Sequence, residues 1–364
     1  MENITSNTSQ NINPELSTQA AEVRISDTGG KPVFLNFSGP DLTSDAGVLL
    51  LKEVEEQIGI IEKMAAVITD DRDARYVKHT LTELLMQRVS QIACGYEDAD
   101  DCDALRTDPA FKMTVGRCPE TGDDLSSQPT MSRFENSVSR TDLYRLALIF
   151  ADAFIASYAS PPPVVVLDFD DTEDKVYGSQ QHTLFNGYYR DYCYLPLHIY
   201  EGLSGRLITT ILKPGKRCDG KQMLSIVKRA AGYLRERWPE TLIIFRGDSH
   251  FAYPEVFEYI EASDNMMYVT GLTANPRLMK EAESTIKQAL RLHQRTGRKT
   301  VLFHSFYLRA VSRPHLRRVV VKAEVTAEGR NIRFIVTDMV QAKASVLYRD
   351  GGSVSFTSKS TSCT

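Results

Sequence analysis

Two short apolar runs in this chain each end abruptly in aspartate. The first run ends in Asp168, Asp170 and Asp171, and the second, about eighty residues later, ends in Asp248. Apolar runs of this length, the first preceded by three prolines, are typical of buried strands. Carboxylates at the ends of neighbouring buried strands are costly to hold close together unless a cation or a proton compensates their charge. The pattern therefore predicts a divalent-metal site in an enzyme that acts on phosphate esters.

Composition narrows the class of protein. The 364 residues suffice for two or three domains, and the hydrophobic fraction of 42% is that of an ordinary soluble protein. A formal net charge of -4 gives no overall sign of nucleic-acid binding, so such binding must come from local clusters. We expect no membrane span and no signal peptide, since no apolar run is long enough and the N-terminus lacks a basic and apolar leader. Six scattered cysteines without a C-x-x-C pair indicate reduced thiols in a cytosol rather than a zinc site.

The residue patterns divide the chain at about residue 160. Residues 1–22 are rich in Ser, Thr, Asn and Gln, which predicts a disordered tail. Apolar residues at steps of three and four predict helices over about 45–64 and 73–93, and Ser139 with Asp142 resembles the capping box of a third helix. Three prolines end that helix. The region up to residue 160 is therefore expected to be mainly helical.

After the prolines the pattern becomes α/β. We expect strands at 164–169, 193–200 and 206–212, a helix at 220–237, a strand at 241–246, a helix opened by Pro254 and a strand at 266–270. Three consecutive strands, a helix and a further strand, with acids on the first and fourth strands, is the order of a ribonuclease-H-like domain. A helix over 274–295 and a small β region with strands at 300–310, 317–325 and 331–337 are expected to follow.

The spacing of the acids indicates which of them share a face. Asp168 and Asp170 are two residues apart and so point to the same face of a strand, whereas Asp171 points away. In phosphoryl transfer, two Mg²⁺ ions roughly 3.5–4 Å apart activate the attacking oxygen and stabilise the leaving oxygen, and Mg²⁺ prefers carboxylate ligands. The simpler interpretation is a strand-end turn at the first motif and a helix cap at Asp248. The occurrence of both motifs in this strand order favours the metal site.

A second class of enzyme has to be weighed. Four apolar residues followed by Asp-x-Asp-x-Thr also describe the signature of haloacid-dehalogenase phosphatases, in which Asp168 would be the nucleophile and Asp170 the general acid. That fold needs a further aspartate a few residues after Asp248, and the residues up to Pro254 contain none. It also usually opens with the signature, whereas about 160 mainly helical residues precede it here.

Separate blocks over residues 76–350 point to one protein family. They are Gln87-Arg88, Gly95-Tyr96-Glu97-Asp98, 105–110, 128–136, 167–172, 178–181, 184–186, 212–216, 246–250 and 333–338. Together they resemble the DDE transposases of the bacterial insertion-sequence 1380 family. The resemblance implies an α+β protein, in which a helical N-terminal region precedes a ribonuclease-H-like α/β core with a β-rich insertion. It also implies DNA strand cleavage and joining without a covalent intermediate.

The resemblance also implies boundaries and roles. The helical region for transposon-end binding or synapsis would span 23–160, the catalytic core 161–273, the insertion 274–345 and an aberrant tail 346–364. Asp168 would be the first catalytic acid and Asp248 the second, with Asp170 able to share or replace the role of Asp168. These three aspartates would hold Mg²⁺ or Mn²⁺. Arg246 and His250 would touch a phosphate or orient a carboxylate, although strand-end packing and capping explain them equally well.

The third acid of the family has no counterpart in this sequence. In the family, a helix after the segment that matches residues 346–350 carries a Tyr, an Arg, usually a Lys, and the Glu that completes the metal site. Here residues 351–364 contain no acid, one basic residue and no helical periodicity. The resemblance therefore implies a frameshift or deletion, a core incomplete at its C-terminus, and little or no transposition activity. Glu324, Glu328 and Asp338 lie nearby and are not expected to substitute.

Contacts with DNA are expected from local basic clusters. Several basic side chains on one face give strongly salt-dependent phosphate binding, although a solvated helix face is the usual meaning of such charge. Few acids accompany the cluster that begins at Arg206, which favours DNA. The residues expected to touch DNA are Arg206, Lys213, Lys216, Arg217, Lys221, Arg246, His250, Arg317 and Arg318.

The resemblance implies double-stranded DNA with terminal inverted repeats as the partner. It further implies a homodimer on DNA, in the bacterial cytoplasm and associated with the nucleoid, without a membrane. The non-enzyme alternative is a truncated binder, which occupies transposon ends or pairs with an intact copy and inhibits it.

Overall fold

The structure is a computed structural model that describes residues 23–28, 31–35, 42–176, 183–309 and 315–349. The predicted disordered tail, residues 1–22, and the part of the predicted aberrant tail after residue 349 lie outside the described residues. The chain divides into two compact units, Met1–Gln57 with Arg72–Ser137, and Ile58–Asp71 with Val138–Thr364. None of the described helices is both long and apolar enough to span a membrane.

The first unit begins with a hairpin of β1 (Val23–Thr28) and β2 (Lys31–Leu35), which pair antiparallel. The helix expected over 45–64 is in fact two helices, α1 (Leu49–Ile58) and α2 (Ile60–Val67). Gly59 separates them with a φ of 61°, a left-handed conformation that glycine adopts without a steric penalty. The division between the two units also falls here, so α2 belongs to the second unit.

The remaining helices of the first unit are α3 (Leu81–Ala93), α4 (Asp101–Leu105), α5 (Pro109–Thr114) and α6 (Gln128–Ser137). The predicted start of α3 near residue 73 is wrong by about two turns. Thr80 and Glu83 form a capping box that satisfies the first backbone amides of the helix, and Asp73 instead caps a short 3-10 turn at Ala74–Tyr76. Gly95, expected after the helix, has the φ of 91° of a C-terminal cap.

The second unit is built around an eight-stranded sheet in the order β11-β12-β13-β10-β9-β3-β7-β8. A separate three-stranded sheet has the order β4-β6-β5. The strands are β3 (Val164–Asp171), β4 (Asp174–Lys175), β5 (Leu184–Asn186), β6 (Asp191–Tyr194), β7 (Leu197–Glu201), β8 (Leu207–Ile211), β9 (Leu242–Gly247), β10 (Met266–Leu272), β11 (Thr300–Arg309), β12 (Leu316–Thr326) and β13 (Gly329–Thr337).

The direction of the strands changes across the large sheet. β3, β9 and β10 run parallel, and β7 and β8 continue from β3 as antiparallel neighbours. β13 pairs antiparallel with β10, and β12 and β11 follow it. The three C-terminal strands therefore extend the main sheet, whereas the sequence suggested a small β region. Alternation of apolar and polar residues locates strands but does not reveal which sheet they join.

The helices of this unit are α7 (Arg140–Ala156), α8 (Gly220–Arg237), α9 (Pro254–Glu261), α10 (Pro276–Glu281), α11 (Glu283–Thr296) and α12 (Ala344–Arg349). α7 starts at the predicted capping box of Ser139 and Asp142. One face of the sheet is covered by α7, α8 and α9, whose side chains bury Leu167 and Phe245. The other face is covered by α12, through Leu347.

Candidate active site

The two aspartate motifs meet at one end of the sheet. β3 and β9 pair in parallel, with Phe169 opposite Gly247, so that Asp248 follows at the level of Asp170. Side chains alternate along a strand, so Asp168 and Asp170 lie on the same face of the sheet. This is the face on which Val166, earlier in β3, packs with Leu347 of α12. The sequence prediction that these two side chains lie on one face agrees with the strand assignment.

Asp168 is neutralised by an arginine on the neighbouring strand. Arg246 Nε donates to Asp168 Oδ1 at 2.8 Å, and Arg246 Nη2 donates to Asp168 Oδ2 at 2.5 Å. Both side chains are partly buried, and such a two-pronged pair is among the strongest hydrogen-bonded arrangements in proteins. Both carboxylate oxygens of Asp168 are therefore committed to the guanidinium.

Asp170 is in the opposite electrostatic situation. Its pKa is raised, first by burial, which disfavours the charged form, and then by the negative charges of Asp248, Asp168 and Asp171. His198 acts in the other direction. The register of β3 and β9 likewise places Asp248 at the level of Asp170, next to it in the sheet. Of the two acids that the sequence could not separate, Asp170 is the one that is not held in a salt bridge with Arg246.

The raised pKa of Asp170 leads to a prediction about stability. Because the folded-state pKa lies above the unfolded one, ionisation of Asp170 opposes folding, and stability is lost as the pH rises through the folded pKa. In metal-free buffer at neutral pH, Asp170→Asn is therefore expected to unfold at a higher temperature than the wild type. The difference should shrink as the pH is lowered and Asp170 becomes protonated. Thermal unfolding followed by circular dichroism checks this, and a difference that widens in acid would contradict it.

Asp248 is held by a tight turn at the end of β9. Its Oδ1 accepts a hydrogen bond from the backbone N–H of His250 at 2.7 Å, which caps the 3-10 turn Ser249–Phe251. The imidazole Nδ1 of His250 lies 3.6 Å from Asp248 Oδ2. Gly271 on β10 makes room for this turn, since a Cβ there would lie 2.8 Å from the backbone nitrogen of Ser249. The glycine therefore permits the close backbone approach that positions Asp248.

Asp171 lies on the opposite face, as predicted, and has a different role. Its carboxylate is 2.8 Å from the Nζ of Lys213, and the side chains are only 11% and 9% exposed. The two atoms are close enough for an ion pair, although their angles are outside hydrogen-bond geometry. Lys213 is therefore committed inside the protein, and Asp171 is separated from the surface that Asp170 faces.

The residues expected to touch DNA fall into two groups. Arg206, Lys216, Arg217, Lys221 and His250 are exposed. Of these, Arg206 donates to the hydroxyl of Ser157, and Arg217 donates to that of Tyr253. The exposed group therefore remains able to reach a phosphate.

The other expected DNA contacts are engaged within the protein. Lys213 is paired with Asp171, and Arg317 donates two hydrogen bonds to Glu261, at 2.7 and 3.1 Å. Arg246 bonds Asp168 through Nε and Nη2, so its Nη1 group is the part that can still meet a phosphate. Arg318 is 7% exposed and donates to three backbone carbonyls at the end of the sheet, those of Met339, Val340 and Ala342. The sequence could not separate these residues from the exposed ones, because a basic residue on a strand or a loop has the same appearance in either role.

The chemistry of the acids fits a hard divalent cation. Within the described residues there is no group of three or more His, Cys, Asp or Glu side chains arranged to hold a metal ion. Mg²⁺ is nevertheless commonly held by one or two carboxylates, with water and substrate phosphates completing its shell. Asp170 and Asp248, which repel each other through space, are a donor pair of this kind.

Comparison with known proteins identifies the family. Residues 25–351 match the model of the family described as transposase DDE domain group 1. The chain belongs to this family. No curated protein matches the chain. A cryo-EM structure of the piggyBac transposase synaptic complex with hairpin DNA is similar over 83% of this chain and 65% of that chain, with 12% sequence identity and a TM-score of 0.41.

Membership of the group 1 DDE transposase domains agrees with the aspartates that end β3 and β9. It also decides between the two enzyme classes that the first motif allowed. The phosphatase interpretation requires Asp168 as a nucleophile, and this carboxylate is held by Arg246 through both of its oxygens. The sequence did not indicate a role for the hairpin that carries Tyr188. The ring of Tyr188 contacts the ring of His250, which lies next to Asp248.

Proposed function

We propose that this DDE transposase domain protein is the transposase of a bacterial insertion sequence of the 1380 family. It would cleave and join DNA strands at terminal inverted repeats with the help of Mg²⁺ or Mn²⁺. The observation that carries the proposal is the approach of Asp248 to Asp170 at the ends of two parallel strands. Paired carboxylates in this position suit metal-dependent phosphoryl transfer.

The order of the strands supports a ribonuclease-H-like core. The segment β8-β7-β3-β9-β10 has the first acid motif on its central strand and the second on the parallel strand beside it. β7 is the strand that runs against its neighbours. We propose that this part of the sheet is the catalytic core, and that the strands from β11 to β13 are part of the insertion that the family resemblance implies.

The proposed roles follow from the contacts of each side chain. Asp170 and Asp248 would hold the divalent ion, which when bound supplies Lewis-acid stabilisation of the attacking and leaving oxygens. Asp168 would act as a positioning residue, because its two hydrogen bonds fix the guanidinium of Arg246 on the same face. His250 is exposed beside Asp248 and can donate a hydrogen bond to a phosphate oxygen. Arg246 and His250 would thus orient the scissile phosphate.

We also propose that the chain is defective in strand cleavage, because residues 351–364, where the family has its third acid, contain no acidic residue. The acids near the end of the sheet are already engaged. Glu324 is paired with Lys299 and Lys322, whose hydrogen bonds lower the pKa of its carboxyl to about 2. Asp338 accepts a hydrogen bond from the backbone N–H of Tyr268 at 3.0 Å. Glu324 is therefore not a suitable third ligand, and the strand register places Asp338 two strands away from β9, at the level of Phe245 and three residues short of Asp248.

DNA binding would rest on the exposed basic residues at the start of α8 and before it. Arg206, Lys216, Arg217 and Lys221 are proposed to contact the phosphates of the terminal repeat. Such contacts weaken steeply as the salt concentration rises, because each phosphate contact releases condensed counterions. A homodimer on DNA, in the cytoplasm of a bacterium and associated with its nucleoid, completes the proposal.

A strand-cleavage assay tests the proposal. The substrate is the terminal inverted repeat of the element that encodes the chain, with Mg²⁺ or Mn²⁺. The wild-type chain is compared with a repaired chain, in which the residues after Asp350 are replaced by the glutamate-bearing helix of the family. We expect cleavage by the repaired chain only, because a site that lacks one member of a catalytic unit typically loses several orders of magnitude in rate.

Each possible result tests a different part of the proposal. Cleavage by the wild type that Asp248→Ala abolishes would show that another acid completes the site, and the proposed defect would be wrong. Salt-dependent DNA binding without cleavage by either chain would favour the non-catalytic binder that occupies transposon ends. Absence of both binding and cleavage would contradict the proposed function altogether.

A further inference from the structure

The hairpin formed by β5 and β6 presents aromatic side chains to solvent beside the second acid motif. Tyr188 is 79% exposed, and Phe185 and Tyr192 are each 57% exposed. The rings of Phe185 and Tyr192 meet edge to face with their centroids 5.6 Å apart. Exposed aromatic groups of this size are commonly interaction sites, because burying them against a partner is strongly favourable.

The turn of this hairpin is held in place by specific hydrogen bonds. Asn186 Oδ1 accepts from the backbone N–H of Tyr188 at 2.9 Å and from that of Tyr189 at 3.4 Å. Asn186 Nδ2 donates to the carbonyl of Gly215 at 2.9 Å, which ties the turn to the loop before α8. Arg190 closes the turn with a φ of 61° and donates its N–H to the carbonyl of Asn186 at 2.7 Å. The aromatic residues are therefore presented by an ordered turn.

Tyr188 lies next to the residues proposed to act on DNA. Its ring centroid is 6.4 Å from that of His250, with an interplanar angle of 82°. The backbone N–H of His250 in turn holds the carboxylate of Asp248. Tyr189 packs edge to face on Tyr188 at 5.0 Å, so one ring supports the other. An open aromatic surface thus adjoins the site at which a phosphate would be cleaved.

The charges around the hairpin indicate what kind of partner it suits. Lys216 and Arg217 follow Gly215, to which the turn is bonded, and both are exposed. A loop with exposed cations, bonded to a turn with exposed aromatic rings, suits single-stranded nucleic acid, in which the phosphates meet the cations and the bases stack on the rings. In an intact duplex the bases are already stacked on one another, so the ring of Tyr188 can reach a base only where a strand is unpaired.

We propose that Tyr188 stacks on an unpaired nucleobase next to the phosphate on which Asp248 acts. The inference rests on the proposed function in one respect, namely that DNA is the ligand of this surface. It assigns to the hairpin the recognition of an opened DNA end, and it makes Tyr188 a positioning residue that holds the strand rather than a group that reacts. A phenol at this site stacks through its ring, so phenylalanine should replace it.

A fluorescence titration tests the proposal without any need for cleavage. The probe is a synthetic duplex with a single-stranded overhang, in which the first unpaired base is 2-aminopurine, and the full chain is titrated into it in metal-free buffer. The wild type is expected to quench the fluorescence by stacking. Tyr188→Ala is expected to lose the quenching and to bind the probe about tenfold more weakly, within the range of roughly 5- to 150-fold typical for one base stacked on an aromatic residue. Tyr188→Phe should behave as the wild type does.

The control variant is Tyr307→Ala. Tyr307 is also exposed, at 55%, but lies on β11, an edge strand of the large sheet, whereas the hairpin of Tyr188 belongs to the three-stranded sheet. Tyr307→Ala should leave both the quenching and the affinity for the probe unchanged. A melting curve for each variant shows that it is folded, which is expected because both tyrosines are largely exposed.

The outcomes distinguish this inference from the proposed function. If the wild type binds the paired duplex in a salt-dependent manner but does not quench the probe, DNA binding stands and the role of Tyr188 is wrong. Quenching that survives in Tyr188→Ala, or that is lost in Tyr188→Phe, would also overturn it, since stacking through the ring predicts the reverse. If the chain binds no DNA, the proposed function and the inference fail together.

Discussion

Asp170→Asn in the repaired chain is expected to slow strand cleavage by about 10⁴-fold or more, a loss typical of a member of a catalytic unit. The same substitution at Asp168 is expected to have a much smaller effect, on the order of 10²-fold, because it disturbs the position of Arg246 rather than the metal site. Asp248→Asn should slow strand cleavage by the same factor as Asp170→Asn. The rates of all three variants on the terminal-repeat substrate are the measurement.

The reason for the difference lies in the partners of the two side chains. Asp168 already shares two hydrogen bonds with Arg246, at 2.8 and 2.5 Å. A metal ion on the remaining lone pairs of these oxygens would lie close to the positive guanidinium and be repelled by it. Asp170 instead carries a raised pKa that the charge of Asp248 helps to cause, and a divalent cation would relieve this repulsion. Asparagine at position 170 keeps the shape of the side chain and removes only its charge.

A second readout uses the wild-type chain, in which cleavage is not expected. A ligand that binds only the folded state raises the unfolding temperature, so Mg²⁺ or Mn²⁺ should stabilise the wild type and Asp168→Asn. The same ions should not stabilise Asp170→Asn or Asp248→Asn. If Asp168→Asn lost metal stabilisation and cleavage to the same extent as Asp170→Asn, both aspartates would be needed to hold the metal ion, and the assignment of the first acid to Asp170 alone would be wrong.

The elements that the sequence predicted best are those with local causes. α8 was predicted at 220–237 and spans Gly220–Arg237, because Asp219 caps it through a hydrogen bond to the backbone N–H of Gln222. Pro254 opens α9 as expected, since a proline in the first turn has no amide that needs a partner. The strands that carry the acids were also predicted within two residues of their observed ends, because an uninterrupted apolar run marks each of them and three prolines precede the first.

The features that were not predicted depend on residues far apart in the chain. The pairing of Asp168 with Arg246 follows from the register of β3 and β9, which the sequence does not specify. Without that pairing, the two aspartates of the first motif look alike. The burial of Lys213, in the loop after β8, has the same kind of cause, because it depends on the carboxylate of Asp171 at the end of β3. Packing between distant segments therefore decided which charged residues belong to the site.

Lys213→Met is expected to lower the free energy of unfolding by about 3–5 kcal/mol, the usual effect of removing one partner of a buried ion pair. The side chains of Lys213 and Asp171 are 9% and 11% exposed, so the carboxylate that remains could not recover its charge stabilisation from water. Methionine fills a similar volume, which limits the effect of a cavity. Urea unfolding of the wild type and the variant provides the measurement.

The double variant Lys213→Met with Asp171→Leu distinguishes a buried ion pair from a DNA contact. With both charges removed, no unpaired charge remains, so the double variant should be more stable than Lys213→Met alone. The coupling between the two sites should exceed the value of up to about 1 kcal/mol that exposed pairs show. Its affinity for DNA should equal that of the wild type, whereas Lys216→Ala, at an exposed neighbour, should weaken binding and reduce its salt dependence. If Lys213→Met instead left stability unchanged and weakened DNA binding as Lys216→Ala does, Lys213 would belong to the DNA surface that the sequence suggested.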